Sequence, residues 1–318
     1  MKRIAIVGAG AIGGFLAAAL SRAGLSVAVV ARGDHLAAIR RGGLRVESDL
    51  GSFTARVEAG DDLRQLGDFD ALLLTFKAHQ WRNFYAQLEP FAAGTASIVT
   101  MQNGLPFWYV REPPLRSIDP GGAIGRLFPD ERVIGAVVHV SGEIISPGAI
   151  RQSGGLRYVL GDPHGGIADR VEALAEIFRG AGLAPEVDTN LRETVWLKLV
   201  NNVGLNPTSV LTGLKIRPML ADPTARSQVH AMMTEALHVG EAMGVVSSLD
   251  VDARIEYAAR LADVKTSMLQ DYERGRPLEL DPILGAVVEL AGRYGIAAPR
   301  LRDAYDRLRR LAPTEPSA

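Results

Sequence analysis

The sequence predicts an α/β fold: a Rossmann-type, doubly wound and mostly parallel sheet, followed by a second, all-helical domain. Short β-branched runs alternate with helical stretches through the first half of the 318 residues, and this alternation is typical of a parallel sheet covered on both faces. From residue 190 onward the strand signals stop and apolar residues recur with a helical period. We therefore predict two domains, residues 1–188 and residues 189–318, and the chain length suits this division.

The predicted sheet is built from short runs of apolar and β-branched residues. The strand candidates are residues 3–7, 26–30, 71–76, 96–101 and 133–140, and helical patterns occupy residues 11–23 and 80–91. Between residues 142 and 160, proline and glycine interrupt short runs, which predicts an antiparallel extension of the sheet. A helix over residues 167–181 and a short strand over residues 185–187 are expected to complete the domain.

The second domain is predicted from helical periodicity and its punctuation. The periodic stretches cover residues 190–212, 223–244, 250–263, 265–274, 282–294 and 299–311. Asp222 and Asp281 each precede a proline, as an N-cap precedes proline at the first helical position. Gly275 and Gly295 lie where a glycine is expected to end a helix.

The composition excludes several functional classes. With 35 basic and 36 acidic residues, the chain lacks the basic surplus of nucleic-acid-binding or membrane-surface proteins. The absence of cysteine excludes disulfides, thiolate metal sites and thiol nucleophiles, and the six histidines form no metal-ligand motif, so no metal is expected. The apolar run at residues 4–7 is too short for a signal peptide, and no run approaches the ~20 apolar residues of a membrane span. These features predict a cytoplasmic protein.

A glycine-rich turn follows directly on the first predicted strand and opens an alanine-rich helix. It consists of Gly8, Ala9, Gly10, Ala11, Ile12 and Gly13. In this pattern the first glycine allows the tight turn, the second lets the backbone approach a pyrophosphate, and the third lets the helix pack closely on the strand. The free amides at the helix N-terminus attract phosphate. Within a strand–turn–helix–strand unit, this turn predicts a dinucleotide-binding domain.

Polar residues at the ends of later strands indicate which dinucleotide binds. The strand at residues 26–30 ends on Ala31-Arg32, whereas NAD-binding domains place a carboxylate there. A guanidinium suits the 2′-phosphate of NADP, so we predict NADP. A carboxylate does lie nearby, at Asp34 two residues further on, and this residue would suit NAD. Lys77 and Asn103 follow two further strands, where a parallel sheet binds ligands. The alternatives are a surface role for Arg32 and Lys77 and a turn-forming Asn103.

One predicted helix of the second domain carries polar residues in an apolar setting. Positions four apart advance by about 40° around a helix, so Lys198, Asn202 and Asn206 form one stripe. Burying such groups without partners is costly, which indicates a polar ligand. The alternative is a solvated stripe on a helix that packs by its other side. Pro207 is expected to end or kink this helix.

Taken together, these motifs resemble the ketopantoate reductases (2-dehydropantoate 2-reductases). The resemblance extends over nearly the whole chain, and the joint spacing of its motifs is far more specific than the glycine-rich turn alone. Beyond that turn it is carried by residues 75–78, Gln102-Asn103-Gly104, residues 196–199, Asn202, Asn206-Pro207, residues 267–271 and residues 279–281. It implies an NADPH-dependent reduction of 2-dehydropantoate to pantoate, in pantothenate biosynthesis.

The resemblance also implies roles for residues on the helical side. Lys198 corresponds to the general acid, and Asn202, Asn206 and Ser267 correspond to substrate-binding positions. Glu279 corresponds to a residue that hydrogen-bonds the cofactor or the substrate. From the sequence alone, the alternative roles are helix capping for both Ser267 and Glu279, or an exposed position for Ser267.

On the cofactor side, the resemblance implies that Arg32 and Lys77 hold the 2′-phosphate. Asn103 would lie between the cofactor and the substrate and contact both. Ser141, placed after the predicted strand at residues 133–140, matches a position whose backbone contacts the cofactor.

The chain departs from the family pattern in one respect that concerns the substrate. A further substrate-contacting asparagine is expected about ten residues after Asn206, and residues 211–216 contain none. The alternatives are therefore a reductase of another small 2-keto acid, a 3-hydroxy acid dehydrogenase, or an NADP(H)-binding sensor without activity. The stripe of Lys198, Asn202 and Asn206 counts against a sensor, because a sensor does not need a proton donor. The sequence does not determine the oligomeric state, for which a homodimer through the helical domain is one candidate.

Overall fold

The computed structural model describes residues 1–246, 249–260 and 263–312. Their contacts form two compact units. The first, which we call the sheet unit, comprises Met1–Gln102 and Ala123–Leu191. The second, the helical unit, comprises Asn103–Gly122 and the chain from Arg192 onward. We call Asn103–Gly122 the insert, because it lies within the sequence of the sheet unit and yet groups with the helices. No helix in the described ranges is long and apolar enough to cross a membrane.

The sheet unit contains a mixed, mostly parallel sheet. Its strands are β1 Arg3–Val7, β2 Ser26–Val30, β3 Leu44–Ser48, β4 Gly51–Ala55, β5 Glu58–Gly60, β6 Ala71–Leu74, β7 Ser97–Thr100, β8 Val133–Ser146, β9 Ala149–Gly161 and β10 Ala184–Val187. The order along the sheet is β4-β3-β9-β8-β7-β6-β1-β2-β5, and β10 pairs with β9. From β8 to β5 every neighbouring pair is parallel, and the order reverses between β1 and β6. This is the switch point at which such sheets bind ligands.

The helices of the sheet unit are α1 Ala11–Arg22, α2 Gly33–Gly42, α3 Trp81–Leu88, α4 Ala123–Leu127 and α5 Asp169–Gly180. Helix α1 buries nearly every residue from Gly13 to Leu20, because it is part of a core with strands such as β1 and β9. Burial on this scale explains why its sequence is almost continuously apolar.

The helical unit consists of α6 Leu191–Thr212, α7 Ile216–Ala221, α8 Pro223–Ala242, α9 Val251–Arg260, α10 Ser267–Glu273, α11 Ala286–Tyr294 and α12 Pro299–Leu311. A single π-type turn, Asp281–Gly285, leads into α11. The predicted fold class is confirmed: a parallel-dominated α/β sheet with a second, helical part. The predicted antiparallel extension is also confirmed, by the pairing of β8 with β9. Of the stretch predicted helical at 250–263, residues 261 and 262 lie outside the described residues.

Helix α6 covers nearly the predicted stretch and continues past Pro207 to Thr212. Of the two outcomes expected at this proline, an end of the helix is therefore wrong; proline removes one backbone donor, and surrounding packing offsets that loss. Two further local predictions are wrong. Asp281 is not an N-cap, because it lies inside the π-type turn and accepts a hydrogen bond from the Tyr305 hydroxyl. Strand β8 does not end at residue 140 but extends to Ser146. By contrast, Asp222 caps α8 as predicted, accepting from the Ala225 amide at 2.7 Å.

Candidate active site

The glycine-rich turn lies between β1 and α1, at the switch point of the sheet. Gly8 has a φ of 109°, and a Cβ there would lie 2.8 Å from the Phe76 backbone nitrogen. A Cβ on Gly13 would lie 2.2 Å from the Gly8 carbonyl oxygen and 2.4 Å from Thr75 Oγ1. Thr75 in turn donates to the Gly8 carbonyl at 2.7 Å. The first and third glycines are therefore required by the packing of the turn itself.

The second glycine differs from these two. A Cβ on Gly10 would have no atom within 4 Å, so the backbone here faces open space rather than protein. Ala9 is buried and its amide donates to the Val30 carbonyl at 2.9 Å, while Ala11 and Ile12 begin α1 half-buried. Helix α1 has no side-chain cap and no acidic residue in its first turn, which leaves its N-terminal amides to an anion. This turn fits a dinucleotide pyrophosphate.

An aromatic cluster links the ends of β2 and β6 beside this turn. The guanidinium carbon of Arg32, an exposed residue two positions after β2, lies 5.1 Å from the centroid of the Phe84 ring. Phe84 stacks on Phe76 with 4.4 Å between centroids, and Phe76 precedes Lys77, which is half-buried. The guanidinium of Arg32 thus lies beside an aromatic pair in the sheet unit, and a second cationic residue, Lys77, follows that pair in the chain; a guanidinium in this setting suits a phosphate beside a planar ring.

Asp34 lies in a helical setting rather than at the tip of β2. It occupies the first turn of α2, where it is exposed. A carboxylate at this position stabilises the helix through the dipole at its N-terminus. Strand β2 ends at Val30 and is followed by Ala31-Arg32, so the first charged residue after the strand is cationic.

Ser141 does not follow β8 but lies within it. It pairs with Gly154 of β9, at a point where the register of the two strands shifts on both sides. The residue is exposed. A bulge of this kind redirects neighbouring side chains and backbone groups. Within the described residues, we find no other irregularity in the strand pairing at Ser141.

Within the helical unit, Lys198 contacts Asn103, the first residue of the insert. Lys198 Nζ donates to Asn103 Oδ1 at 3.1 Å. Burial lowers the pKa of Lys198 to about 8, and the charge of Glu279 acts in the opposite direction, raising it. Glu279 is 4 % exposed and lies just before the π-type turn. An ammonium group with a pKa in this range can give up its proton near neutral pH.

The start of the insert is fixed by the chain just after Glu279. Gly104 has a φ of 84°, and a Cβ there would lie 2.4 Å from the carbonyl oxygen of Pro282. The Leu105 amide donates to the same carbonyl at 2.8 Å. The backbone on either side of Gly104 is therefore held against the π-type turn, and this places Asn103 within reach of Lys198.

Tyr109 holds the insert to the beginning of α6. Its hydroxyl donates to the Arg192 carbonyl at 2.7 Å, and Arg192 Nη2 donates back to the Tyr109 carbonyl at 2.9 Å. The Arg192 guanidinium also lies 4.3 Å from the centroid of the Tyr109 ring, and that ring stacks on Trp196. These reciprocal contacts explain the aromatic residues of the insert as anchors.

The middle of the insert is held by α11. Glu289 accepts from the amides of Arg116 and Ser117, each at 3.0 Å. Arg293 donates to the carbonyls of Pro113 and Pro114 at 2.6 and 2.8 Å. Local sequence patterns do not point to Tyr109, Arg192, Glu289 or Arg293, because their partners are more than eighty residues away in sequence.

The remaining predicted substrate residues lie on α6 and α10. Asn202 is half-buried and Asn206 is 7 % exposed, and their spacing places both on the face of α6 that carries Lys198. Ser267 is exposed at the first position of α10, whose N-cap is Thr266. Across the part of the chain that the structure describes, the side chains of Asn202, Asn206 and Ser267 form no hydrogen bond, so all three are available to a ligand.

Two histidines have partners within the sheet unit that account for them without a metal. His35 Nδ1 accepts from the Gly148 amide at 3.0 Å, and His164 lies 3.1 Å from Asp130. Burial lowers the pKa of His35, which keeps its ring neutral near pH 7. Within the described ranges, no group of three or more His, Asp or Glu residues could hold a metal ion.

Comparison with known proteins gives consistent similarities over the whole chain. Residues 4–165 match the family model described as ketopantoate reductase PanE/ApbA, and residues 190–312 match its C-terminal counterpart. The chain is 42% identical to a 2-dehydropantoate 2-reductase of Mesorhizobium japonicum, with 98% of each chain covered.

Solved structures show the same similarity. A 2-dehydropantoate 2-reductase from Geobacter metallireducens is 31% identical, with a TM-score of 0.87 over 97% of this chain and 99% of that one. One from Methylococcus capsulatus is 32% identical, with a TM-score of 0.84 over 97% and 96% of the two chains.

Proposed function

Because the chain belongs to the ketopantoate reductase family, we propose that it reduces 2-dehydropantoate (ketopantoate) to pantoate with NADPH, as a step of pantothenate biosynthesis. The observation that carries the proposal is Lys198, a lysine whose pKa is lowered to about 8 and whose Nζ bonds to Asn103. Reduction of a ketone requires a proton for the developing alkoxide, and a lysine in this setting supplies one near neutral pH.

The residues of the sheet unit that would hold the dinucleotide are those of the glycine-rich turn, with Arg32 and Lys77 for the 2′-phosphate. The family uses NAD(P), and the cationic end of β2 supports NADP for this chain. When bound, the reduced nicotinamide supplies the hydride. The open backbone at Gly10 and the uncapped start of α1 support binding of its pyrophosphate there.

In this proposal Lys198 has two tasks. As an ammonium it stabilises the negative charge that develops on the substrate carbonyl oxygen, and it then transfers a proton to that oxygen. One proton leaves Lys198 Nζ and one O–H bond forms, so the neutral amine must regain a proton before the next turnover. Glu279 favours the charged form of Lys198, and Asn103 orients the amine by accepting one of its hydrogens.

Asn202, Asn206 and Ser267 are the proposed anchors for the rest of the substrate. Their amides and hydroxyl can bond the carboxylate and hydroxyl of a small acid, while the backbone at Ser141 is assigned to the cofactor. The lack of an asparagine over residues 211–216, where Ile216 is buried, favours a second candidate: a small 2-keto acid with an apolar group in place of the ketopantoate hydroxyl.

A panel assay tests the proposal and separates the two candidates. Chelator-treated protein is mixed with NADPH and with ketopantoate or another branched or linear 2-keto acid, and absorbance of the reduced nicotinamide is followed. The proposal expects the highest kcat/KM with ketopantoate; a preference for a purely aliphatic acid would favour the second candidate. Turnover of none of these acids would contradict a reductase and leave a 3-hydroxy acid dehydrogenase, tested with NADP and 3-hydroxy acids, or a binding protein.

We also propose a cytoplasmic location, which the absence of cysteine supports because a reducing compartment makes disulfides unavailable. A homodimer through the helical unit stays a prediction. Light scattering of the purified protein at micromolar concentration tests it, since a mass near 34 kDa would indicate a monomer.

A further inference from the structure

Two buried hydroxyls connect α6 to the start of α10. Ser209 Oγ and Thr266 Oγ1 are 2.5 Å apart, and their residues are 0 % and 6 % exposed. Ser209 lies three residues after Asn206, and Thr266 directly precedes Ser267. The contact therefore joins the chain segments that carry two of the proposed substrate anchors.

The hydrogens of this contact can be assigned from the neighbouring bonds. Ser209 Oγ donates its single hydrogen to the Asn206 carbonyl at 2.7 Å. Thr266 Oγ1 accepts from the Leu269 amide at 3.1 Å, which leaves its own hydrogen for Ser209 Oγ. Each hydroxyl thus donates once and accepts once, and the bonds run in one direction from α10 to the backbone of Asn206.

The backbone of α6 is weakened close to this contact. Pro207 follows directly and has no amide hydrogen, so α6 loses one backbone hydrogen bond in this turn. The missing bond is the one to the carbonyl of Val203, four residues earlier, and the Ser209 side chain adds a bond in the same region, to the carbonyl of Asn206. The backbone that carries the Asn206 side chain is therefore bonded to a hydroxyl that is itself held at the start of α10.

We propose that Ser209 and Thr266 are positioning residues that set the separation of Asn206 and Ser267 and thereby the affinity for the keto acid. The proposal rests on the proposed function, because it assigns both anchors to the substrate. Neither hydroxyl touches the substrate in this account. Both act through the residues next to them, so their loss should affect substrate binding far more than proton transfer.

The test uses single variants, conservative variants and a double variant. Ser209→Ala and Thr266→Ala are each expected to raise the KM for the keto acid about ten-fold and to change kcat by less than about two-fold, because misplaced anchors weaken ground-state binding. Ser209→Thr and Thr266→Ser keep the hydroxyls and should restore KM. The double Ala variant should raise KM no further than either single one, since the two residues act as one unit.

Thr212→Ala is the matched control. Its hydroxyl also bonds a carbonyl on α6, that of Thr208 at 2.8 Å, and its removal should leave KM unchanged. NADPH affinity, followed by fluorescence, should be the same in every variant. Melting temperatures show whether a variant is merely less stable, and binding of pantoate to the NADP complex by calorimetry reports on the anchors in folded protein.

The outcomes distinguish the two proposals. If the unmodified protein reduces no keto acid, the proposed function fails. If it does so and Ser209→Ala is less stable but has an unchanged KM and pantoate affinity, the hydroxyl pair is only structural and the inference is wrong. Additive effects in the double variant would equally contradict it.

Discussion

Lys198 Nζ donates a hydrogen bond to Asn103 Oδ1 at 3.1 Å, although 95 positions separate the two residues in the sequence. The bond joins a lysine in the middle of α6 to a residue three positions after β7. It depends on the insert, whose backbone is held at the π-type turn, at the start of α6 and on α11. The insert therefore orients Lys198, the candidate proton donor. The insert is in turn held in position by contacts from three parts of the helical unit.

The pH dependence of the reaction should follow the protonation of Lys198. With a pKa of about 8, Lys198 carries its proton below that value and loses it above. We expect kcat/KM for reduction to be level below pH 8 and to fall about ten-fold per pH unit above it. Oxidation of pantoate by NADP requires the unprotonated amine, so it should rise over the same range.

Glu279→Gln provides the control for this assignment. It removes the charge that raises the pKa of Lys198, so both profiles should move to lower pH. Profiles for the two directions that fall together, or that do not move in Glu279→Gln, would assign the titration to another group.

The glycines of the turn should respond differently to alanine. Gly13→Ala places a Cβ 2.2 Å from the Gly8 carbonyl oxygen and should lower the free energy of unfolding by about 1–3 kcal/mol, the usual effect of overpacking. Gly10→Ala meets no protein atom and should leave stability unchanged while weakening NADPH binding at least ten-fold, because the methyl occupies space needed by the pyrophosphate. Chemical denaturation and fluorescence titration measure the two effects. Normal NADPH affinity in Gly10→Ala would place the pyrophosphate elsewhere.

The choice of nucleotide should depend on Arg32. We expect NADPH to bind at least ten-fold more tightly than NADH, a difference of about 1.4 kcal/mol. Arg32→Ala should remove most of that preference and leave the NADH affinity nearly unchanged, because the guanidinium interacts with the 2′-phosphate alone. Calorimetry with both nucleotides measures this, and equal affinities in the unmodified protein would contradict the NADP assignment.

The insert should control activity through Gly104. In Gly104→Ala a Cβ would lie 2.4 Å from the Pro282 carbonyl oxygen, which must displace Asn103 from Lys198. We expect kcat to fall by about ten-fold to a hundred-fold, the scale on which small misplacements reduce catalysis. Gly121→Ala is the matched control: its φ of 78° imposes the same backbone strain, but a Cβ there meets no atom within 4 Å. An equal loss of kcat in both variants would show that strain, not the position of Asn103, is responsible.

The parts of the fold that follow from local sequence were predictable, and those that follow from distant contacts were not. Strands β1 and β2 have the predicted bounds because their apolar runs are bordered by turns or polar residues. Helix α2 and the β3–β4 hairpin were missed, since their sequences are largely polar and exposed on one side. Helix α7, with only six residues, is too short for its periodicity to show.

The candidate site likewise has one part that local sequence predicts and another that depends on distant contacts. The stripe on α6 could be predicted because its spacing lies within one helix. The direct contact of Lys198 with Asn103 could not, because the bonds that hold the insert are made by residues such as Glu289, which is 173 positions from Arg116 in the sequence. Thr266 was also missed, since its role as N-cap depends on where α10 begins.

The most direct test of the account is the single-turnover rate of Lys198→Ala with NADPH and ketopantoate. A general acid contributes in the transition state rather than to ground-state binding, so this rate should fall by ~10²–10⁴ while NADPH affinity stays the same. Lys215→Ala is the control, because it removes an exposed lysine of the same unit that pairs with Asp263, and it should retain the full rate. If Lys198→Ala folds, binds NADPH and keeps more than about a tenth of the rate, Lys198 is not the proton donor.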